Sequence, residues 1–260
     1  MTIRGVLFDV DGTLYAYEAA EEVGLHEHLV AEGLSDRFAS PAEALRVWRD
    51  VREEEYPRFL SGELTFAAQK AVRIRRFLAQ AGVGGARELT DETATAWFAS
   101  YALRRNAVRR AFDDAQPALN SLAGRFRLGV VSNSVTAHQR TKLDAIGLLG
   151  YFTEPLVCSQ EHGAAKPAAS IFLAGCEALG LAPAEVAYVG DDYEKDAVGA
   201  RDAGLQAIWL DRSASRGPGA VDAGIRVIAS LTELMSLSHG TEHQEVAQTA
   251  AIGTSGDEEA

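Results

Sequence analysis

The spacing of apolar residues changes abruptly along the first half of the chain. Residues 3–8 form a short apolar run that leads into a glycine turn, a pattern that predicts a buried strand. Residues 16–110 then carry apolar positions at helical spacing among many charges. Ser40 followed by Pro41 and Glu43 has the pattern of a helix start. We therefore expect a bundle of four or five helices in residues 16–110.

The second half of the chain alternates between short apolar runs and helical patterns. The runs predict strands at 127–132, 155–158, 186–190, 206–210 and 226–228, and the segments between them predict helices at about 136–147, 168–180 and 194–203. Strands that alternate with helices pair in parallel and are covered by helices on both faces. The sequence therefore predicts an α/β fold with a doubly wound parallel sheet.

These patterns also predict how the chain is divided into domains. We expect an α/β core domain made of residues 1–15 and 111–237, with a helical domain of residues 16–110 inserted after the first strand. Residues 238–260 contain five acids but no Lys, Arg or aromatic residue. Such a composition predicts a disordered acidic tail.

The charge of the chain argues against one class of partner. Of its 260 residues, 37 are Asp or Glu and 25 are Lys or Arg, which gives a formal charge of −12. Because nucleic-acid binding normally shows as a basic domain, we expect no nucleic-acid partner. No stretch approaches the roughly 18 apolar residues of a membrane span, and the first residues do not resemble a signal peptide, so we expect a cytoplasmic protein. Cys158 and Cys176 are expected to be buried free thiols.

Two acids end the first predicted strand. Asp9 and Asp11 are followed by Gly12 and Thr13. Ligands of open α/β sheets bind outside the carboxyl ends of the strands. Residues two apart in an extended segment point the same way, so both carboxylates are expected to face one site, where they repel each other unless a cation is present. Mg²⁺ suits such a site, because it uses few protein oxygens and keeps waters for a phosphate.

Three further polar segments follow predicted strands. Ser132 and Asn133 offer a hydroxyl, an amide and turn N–H groups that can bind an anion. Lys166, one of only four lysines, is fixed in its loop by Pro167. The last segment contains three acids: Asp191, Asp192 and Asp196. Because the strand ends of a parallel sheet meet at one edge, we expect these groups to form a single site suited to phosphoryl chemistry.

With these motifs the sequence resembles the haloacid dehalogenase-like (HAD) hydrolases, which are mostly Mg²⁺-dependent phosphatases. The four motifs of the family occur in order: DVDGT at 9–13, VVSN at 130–133, GAAKP at 163–167, and the glycine and acids of 190–196. The helical insertion matches the cap domain of one major subgroup. The resemblance covers residues 1–15 and 111–237 and implies a Rossmann-like HAD core, a helical cap and a phosphoric monoester hydrolase.

The resemblance also implies roles for single residues. Asp9 would be the nucleophile that forms an aspartyl-phosphate, and Asp11 would be the general acid and then the base that activates water. Ser132, the backbone of Asn133, and Lys166 would hold the phosphoryl oxygens.

A magnesium site follows from the same resemblance. Three groups would bind Mg²⁺: Asp9, the main-chain carbonyl of Asp11, and Asp191. Asp196 would orient neighbours such as Lys166. Thr13 and Asp192 would lie around these ligands. Asp192 stands where many relatives have Ser, and it could be a supporting acid or an alternate ligand.

The substrate would be a small phosphorylated metabolite, and other reactions on the same scaffold stay open. A sugar-phosphate mutase would use the same motifs. A 2-haloacid dehalogenase would need no metal, but such enzymes lack an acid at the position of Asp11. A phosphonate-cleaving enzyme would need a lysine in the cap, where Lys70 is the only one, and a binding protein would keep the pocket without turnover. The sequence leaves open the cap residues that set specificity and the choice between monomer and homodimer.

The remaining basic side chains are expected on the surface. We expect His26, His28 and His138 on polar helix faces. Two groups of arginines lie among acids, and we expect them on a salt-bridged helix face: Arg73, Arg75 and Arg76, then Arg104, Arg105, Arg109 and Arg110.

Overall fold

A six-stranded sheet forms the centre of the computed structural model, which describes residues 2–152, 156–216 and 221–237. The strands are β1 (Gly5–Phe8), β2 (Arg127–Ser132), β3 (Leu156–Cys158), β4 (Val186–Gly190), β5 (Gln206–Leu210) and β6 (Ile225–Ile228). Every neighbouring pair is parallel, and the spatial order is β3–β2–β1–β4–β5–β6. The predicted α/β fold with a doubly wound parallel sheet is confirmed.

Helices of the second half cover both faces of this sheet. They are α5 (Ala115–Leu122), α6 (Thr136–Ala145), α7 (Ser159–His162), α8 (Ala169–Leu179) and α9 (Gly199–Asp202). Successive side chains of β1 point to opposite faces, so Val6 and Phe8 pack in a cluster with α5, whereas Leu7 packs in another with α8. Burial on both faces explains why these strands are apolar throughout.

Four helices of the first half enclose an apolar cluster of their own. They are α1 (Tyr17–Ala31), α2 (Pro41–Leu60), α3 (Phe66–Gln80) and α4 (Asp91–Ala107). Ser40 begins α2 as predicted, because its Oγ accepts a hydrogen bond from the backbone N–H of Glu43 at 3.1 Å. The cluster is centred on Trp48 and Phe77 and shares no residue with the clusters around the sheet. The division into a core of residues 1–15 and 111–237 and a cap of residues 16–110 stays a prediction, and Ala20 of α1 packs in the cluster around β1.

The carboxyl ends of three strands lie side by side. Phe8 in β1 pairs with Val130 in β2 on one side and with Val189 in β4 on the other. The polar segments after these strands therefore begin at one edge of the sheet. None of the described helices is long and apolar enough to cross a membrane. The predicted tail, residues 238–260, lies outside the described residues.

Candidate active site

Asp9 and Asp11 lie in the turn that follows β1. Gly12 in this turn has φ +85°, a left-handed conformation that glycine adopts at little cost. A Cβ at Gly12 would overlap the carboxylate of Asp191. Only a glycine lets the turn come this close to the segment after β4, and Thr13 completes the contact with a hydrogen bond of 3.1 Å from its Oγ1 to Oδ1 of Asp191.

Lys166 joins two of the predicted acids. Its Nζ lies 2.7 Å from Oδ1 of Asp9, 2.6 Å from Oδ1 of Asp196 and 2.9 Å from the hydroxyl of Tyr188. All four of these side chains are buried. Burial alone would lower the pKa of Lys166, but the charges of Asp196 and Asp9 hold it well above its usual range. The amine is therefore a fixed positive charge beside Asp9.

Three carboxylates meet beside this lysine. Oxygens of Asp9, Asp191 and Asp196 lie within 4.8 Å of one another. Asp191 is exposed at the edge of this group, but partial desolvation of its carboxylate and the charges of Asp9 and Asp196 raise its pKa to about 8. Burial likewise raises the pKa of Asp9 to about 6 against the opposing charge of Lys166. One lysine against three acids leaves a deficit of positive charge, and oxygen donors of this kind suit Mg²⁺.

Asp192 and Asp196 differ in what they contact. The carboxylate of Asp192 accepts a hydrogen bond from the backbone N–H of Lys195 at 2.9 Å and forms an ion pair with the Lys195 side chain. It therefore begins the helical segment that follows. Asp196 accepts hydrogen bonds from Lys166 and from Tyr188, the latter at 2.9 Å. These contacts fit the predicted orienting role of Asp196 toward Lys166.

The segment after β2 is tied to the Lys166 loop. Oδ1 of Asn133 accepts a hydrogen bond from the backbone N–H of Lys166 at 2.7 Å, and its Nδ2 donates one to the Lys166 carbonyl at 3.0 Å. Ser132 is buried beside them, and its Oγ accepts a hydrogen bond from Nε2 of Gln139 at 2.9 Å. The side chain of Asn133 thus links the loop after β2 to the loop that carries Lys166. The sequence analysis predicted a role for the Asn133 backbone but did not include this contact.

The family of the chain follows from its match to a protein-family model. The model described as haloacid dehalogenase-like hydrolase matches residues 3–204. The chain belongs to the haloacid dehalogenase-like hydrolases. The predicted resemblance is confirmed, and it now applies to most of the chain.

Known relatives agree with this assignment. A phosphoserine phosphatase of Thermus thermophilus is 33% identical over 198 residues, which cover 75% of this chain and 68% of that protein. An N-acylneuraminate-9-phosphatase of Mus musculus is 29% identical over 221 residues, which cover 81% of this chain and 84% of that protein. The magnesium-bound HAD-hydrolase YfnB of Bacillus subtilis shares the fold, with a TM-score of 0.70, 20% identity, and coverage of 90% of this chain and 97% of that one.

Helix α6 of this HAD hydrolase supplies two residues that the sequence analysis missed. Nζ of Lys142 lies 2.5 and 2.6 Å from the two carboxylate oxygens of Asp11, and Nε2 of Gln139 donates to Oδ2 of Asp11 at 3.0 Å. Burial alone would raise the pKa of Asp11, but Lys142 and Gln139 hold it below its usual range. A signal was present, because lysine is rare in this chain and the two residues lie three apart on a predicted helix.

The expectation of surface histidines is wrong at two positions. His28 is fully buried, with its ring 4.2 Å from that of Trp97. His138 is half-buried, with its ring 5.5 Å from that of Phe66, across the boundary between cap and core. Both imidazole rings pack against aromatic side chains, and this packing outweighs the cost of burying polar groups. His26 is exposed as predicted.

The expectation of salt-bridged arginines is only partly met. Arg75 pairs with Asp91, and Arg76 pairs with Glu54 and Glu55. Arg73 and Arg105 instead lie buried inside the cap, beside aromatic rings. Arg75 and Arg76 reach acids at the edge of the cap, whereas Arg73 on the same helix packs inside it, and the sequence pattern did not distinguish them.

Proposed function

We propose that this protein is a Mg²⁺-dependent phosphatase that hydrolyses a small phosphate monoester through an aspartyl-phosphate on Asp9. The observation that carries the proposal is the separate engagement of two neighbouring acids. Asp9 contacts Lys166, whereas Asp11 contacts Lys142 and Gln139. Two carboxylates in different surroundings can take different parts in one reaction, one as nucleophile and the other in proton transfer.

The reaction has two steps. The negative charge of the bound phosphate would raise the pKa of Asp11, so that Asp11 enters the first step protonated. A carboxylate oxygen of Asp9 attacks phosphorus, the bond from phosphorus to the ester oxygen breaks, and Asp11 gives its proton to the leaving oxygen. Asp11 then takes a proton from a water molecule, which attacks the phosphorus of the aspartyl-phosphate. The bond from phosphorus to the Asp9 oxygen breaks, inorganic phosphate leaves, and both acids return to their starting forms.

Fixed donors would hold the phosphoryl oxygens during both steps. Lys166 carries a positive charge next to Asp9, and Ser132 and the backbone of Asn133 lie at the neighbouring strand end. Their positions are set before any ligand binds, because Asn133 is hydrogen-bonded to the Lys166 backbone. Such preorganised charge stabilises the developing charge of the transition state.

The acids at the sheet edge fit a magnesium ion. Asp9, the main-chain carbonyl of Asp11, and Asp191 would hold it, and Thr13 would orient Asp191 through their hydrogen bond. Once bound, Mg²⁺ would neutralise part of the phosphoryl charge. Asp196 lies close enough to contribute an oxygen, but its bonds to Lys166 and Tyr188 favour an orienting role. Asp192 is engaged with Lys195, which favours its part as a supporting acid.

The test is phosphate release from a panel of phosphate monoesters, with Mg²⁺ and with EDTA. We expect release that needs Mg²⁺ and that falls at least about 1,000-fold in Asp9→Asn, because the nucleophile is lost. Asp113→Asn is the matched control, since the side chain of Asp113 is 98% exposed. An active Asp9→Asn protein, or no release from any ester, would overturn the proposal. Rearranged phosphate esters in place of free phosphate would identify a mutase.

A further inference from the structure

Three basic residues inside the cap form a group that we call the cap cation cluster: Lys70, Arg73 and Arg105. Lys70 and Arg73 lie on α3, and Arg105 lies on α4. Arg73 is 5% exposed and Arg105 is 7% exposed, while Lys70 is half-buried. Arginine and lysine are rarely buried this deeply unless an acid compensates them.

The described part of the chain places no carboxylate against these three side chains. The guanidinium carbon of Arg73 lies 5.0 Å from the centre of the Trp48 ring, and its Nε is enclosed without a hydrogen-bond partner. Arg105 donates to the neutral amide of Asn106, at 3.1 Å. Nζ of Lys70 lies 3.9 Å from the centre of the Phe66 ring. Rings and an amide attract cations but do not neutralise them.

The acid whose charge acts on Arg73 already has its own hydrogen-bond donors. Glu21 is fully buried and accepts hydrogen bonds from four side chains: Tyr17, Trp48, Arg49 and Arg52. Two of these donors are themselves cations. The interior of the cap therefore keeps a surplus of positive charge after Glu21 has been counted.

A chain of contacts connects this cluster to the catalytic acids. The Phe66 ring lies between Lys70, at 3.9 Å, and the ring of His138 on α6, at 5.5 Å. Lys142 is one helical turn further along α6 and contacts Asp11. Burial, together with the charges of Arg105 and Arg73, lowers the pKa of Lys70 to about 8. The three cations are thus close enough to repel one another beside the catalytic site.

Tyr56 connects the same two regions on another side. Its hydroxyl donates to the carbonyl of Asn133 at 2.7 Å, which ties α2 of the cap to the loop after β2. Burial raises the pKa of Tyr56, Asp11 raises it further, and Arg73 lowers it. Tyr56 therefore lies within the electrostatic reach of both Asp11 and Arg73.

We propose that the substrate is a phosphate monoester with a second anionic group, which the cap cation cluster binds while Asp9 attacks the phosphoryl group. This inference rests on the proposed phosphatase function and narrows its substrate class. The second group is a carboxylate or a second phosphate, because both present oxygens that match the planar donor pattern of arginine. The proposal rests on the burial of Arg73 and Arg105 without a neighbouring carboxylate, because an anionic ligand would compensate their charge.

The test compares esters that differ only in the second charge. The pairs are 2-phosphoglycerate with glycerol 2-phosphate for the carboxylate, and fructose 1,6-bisphosphate with fructose 6-phosphate for the second phosphate. p-Nitrophenyl phosphate has no second anionic group. We expect kcat/KM of the wild type to be roughly 10- to 100-fold higher for the doubly anionic member of at least one pair, because charged hydrogen bonds have about this effect.

Arg73→Gln and Arg105→Gln should reduce that advantage to within about threefold, mainly through KM, because the two members of a pair then bind alike. Arg75→Gln is the matched control, because Arg75 lies on the same helix and pairs with Asp91. Equal losses on both members of a pair would reduce the cluster to a structural support and overturn the inference.

Two further outcomes separate this inference from the proposed function. A wild type that hydrolyses all esters without preference overturns the inference and leaves the phosphatase in place. A wild type that releases no phosphate from any ester, p-nitrophenyl phosphate included, overturns the phosphatase itself. The wild-type comparison does not depend on the variants, so it decides the matter even if Arg73→Gln or Arg105→Gln fails to fold.

Discussion

The sheet edge and the interior of the cap both bury charges, but they compensate them in opposite ways. At the sheet edge, Lys166 contacts Asp9 and Asp196, and Lys142 contacts Asp11. Each buried cation there lies against a carboxylate. In the cap, Arg73 and Arg105 are buried to a similar depth but lie against rings and a neutral amide.

The difference shows what each region lacks. Near Asp9, one lysine faces three carboxylates, which leaves an excess of negative charge that a cation would relieve. In the cap, the cation cluster has an excess of positive charge that an anion would relieve. A metal ion at the sheet edge and a doubly anionic ester between the two regions would satisfy both. The proposals for metal and substrate thus have the same physical origin, which is uncompensated buried charge.

Removing Lys166 should disturb the sheet edge most. Lys166→Met leaves Asp9 and Asp196 buried without their shared cation, and we expect a loss of about 3–5 kcal/mol in the free energy of unfolding. Phosphate release should fall at least roughly 100-fold, because a fixed phosphoryl-binding charge is gone. Urea unfolding and the ester assay measure the two effects.

The matched control for this change is Lys195→Met. Lys195 also pairs with an aspartate, Asp192, but its side chain is 52% exposed. An exposed pair contributes little, so we expect less than about 1 kcal/mol. Equal stability losses in the two variants would show that burial does not distinguish these two ion pairs. The contrast between buried and exposed pairs would then be wrong.

The sequence was sufficient to predict the sheet edge, because its residues follow strands directly. Asp9, Ser132 and Asp191 each come within two residues of a strand end, and strand order in a parallel sheet brings such ends together. Lys166 was predictable for a related reason, since its motif fixes it in a loop at the same edge. The spacing of residues along the chain was therefore enough to predict the fold and which residues lie at this edge of the sheet.

Contacts that reach the site from helix faces do not follow from strand ends, and the rarity of lysine marks Lys142 without showing what it contacts. Lys142 and Gln139 contact Asp11 only because of how α6 is rotated on the sheet. Arg73 and Arg105 point inward because of how α3 and α4 pack in the cap. A helix rotation is set by the packing of many side chains, and a pattern of charges leaves it undetermined.

Removing Lys142 should sharpen the distinction between the two catalytic acids. Lys142→Met leaves Asp11 with Gln139 as its remaining contact on α6, so the position of its carboxylate is no longer fixed. We expect kcat to fall roughly 10- to 100-fold with KM within about threefold, because the proposed part of Asp11 is proton transfer and not phosphoryl binding. Steady-state kinetics on the best ester measures both constants.

Arg140→Met serves as the control for this helix, because Arg140 is an exposed residue of α6. It should leave both constants unchanged. If Lys142→Met raised KM and left kcat intact, Lys142 would instead contribute to binding, and the assignment of separate surroundings to Asp9 and Asp11 would need revision.

The smallest effect concerns a basic group that the cap keeps neutral. Burial lowers the pKa of His28 from 6.5 to about 4, and the charge of Arg104, whose guanidinium lies 3.2 Å from its Nδ1, acts in the same direction. Glu32, 4.0 Å away, is the facing acid. The folded protein therefore excludes a proton that the unfolded chain binds below pH 6.5, so stability falls as the pH drops from there toward 4.

Between pH 8 and pH 5, this proton should cost the wild type about 2 kcal/mol in the free energy of unfolding. His28→Gln removes the titrating group, so the variant should lose about 2 kcal/mol less than the wild type over the same interval, whatever its stability at pH 8. His26→Gln, an exposed position on the same helix, should keep the wild-type slope. Urea unfolding at both pH values measures the slopes. Identical slopes in all three proteins would mean that the cap accepts a proton at His28, and the cap cation cluster would then tolerate further positive charge without a ligand.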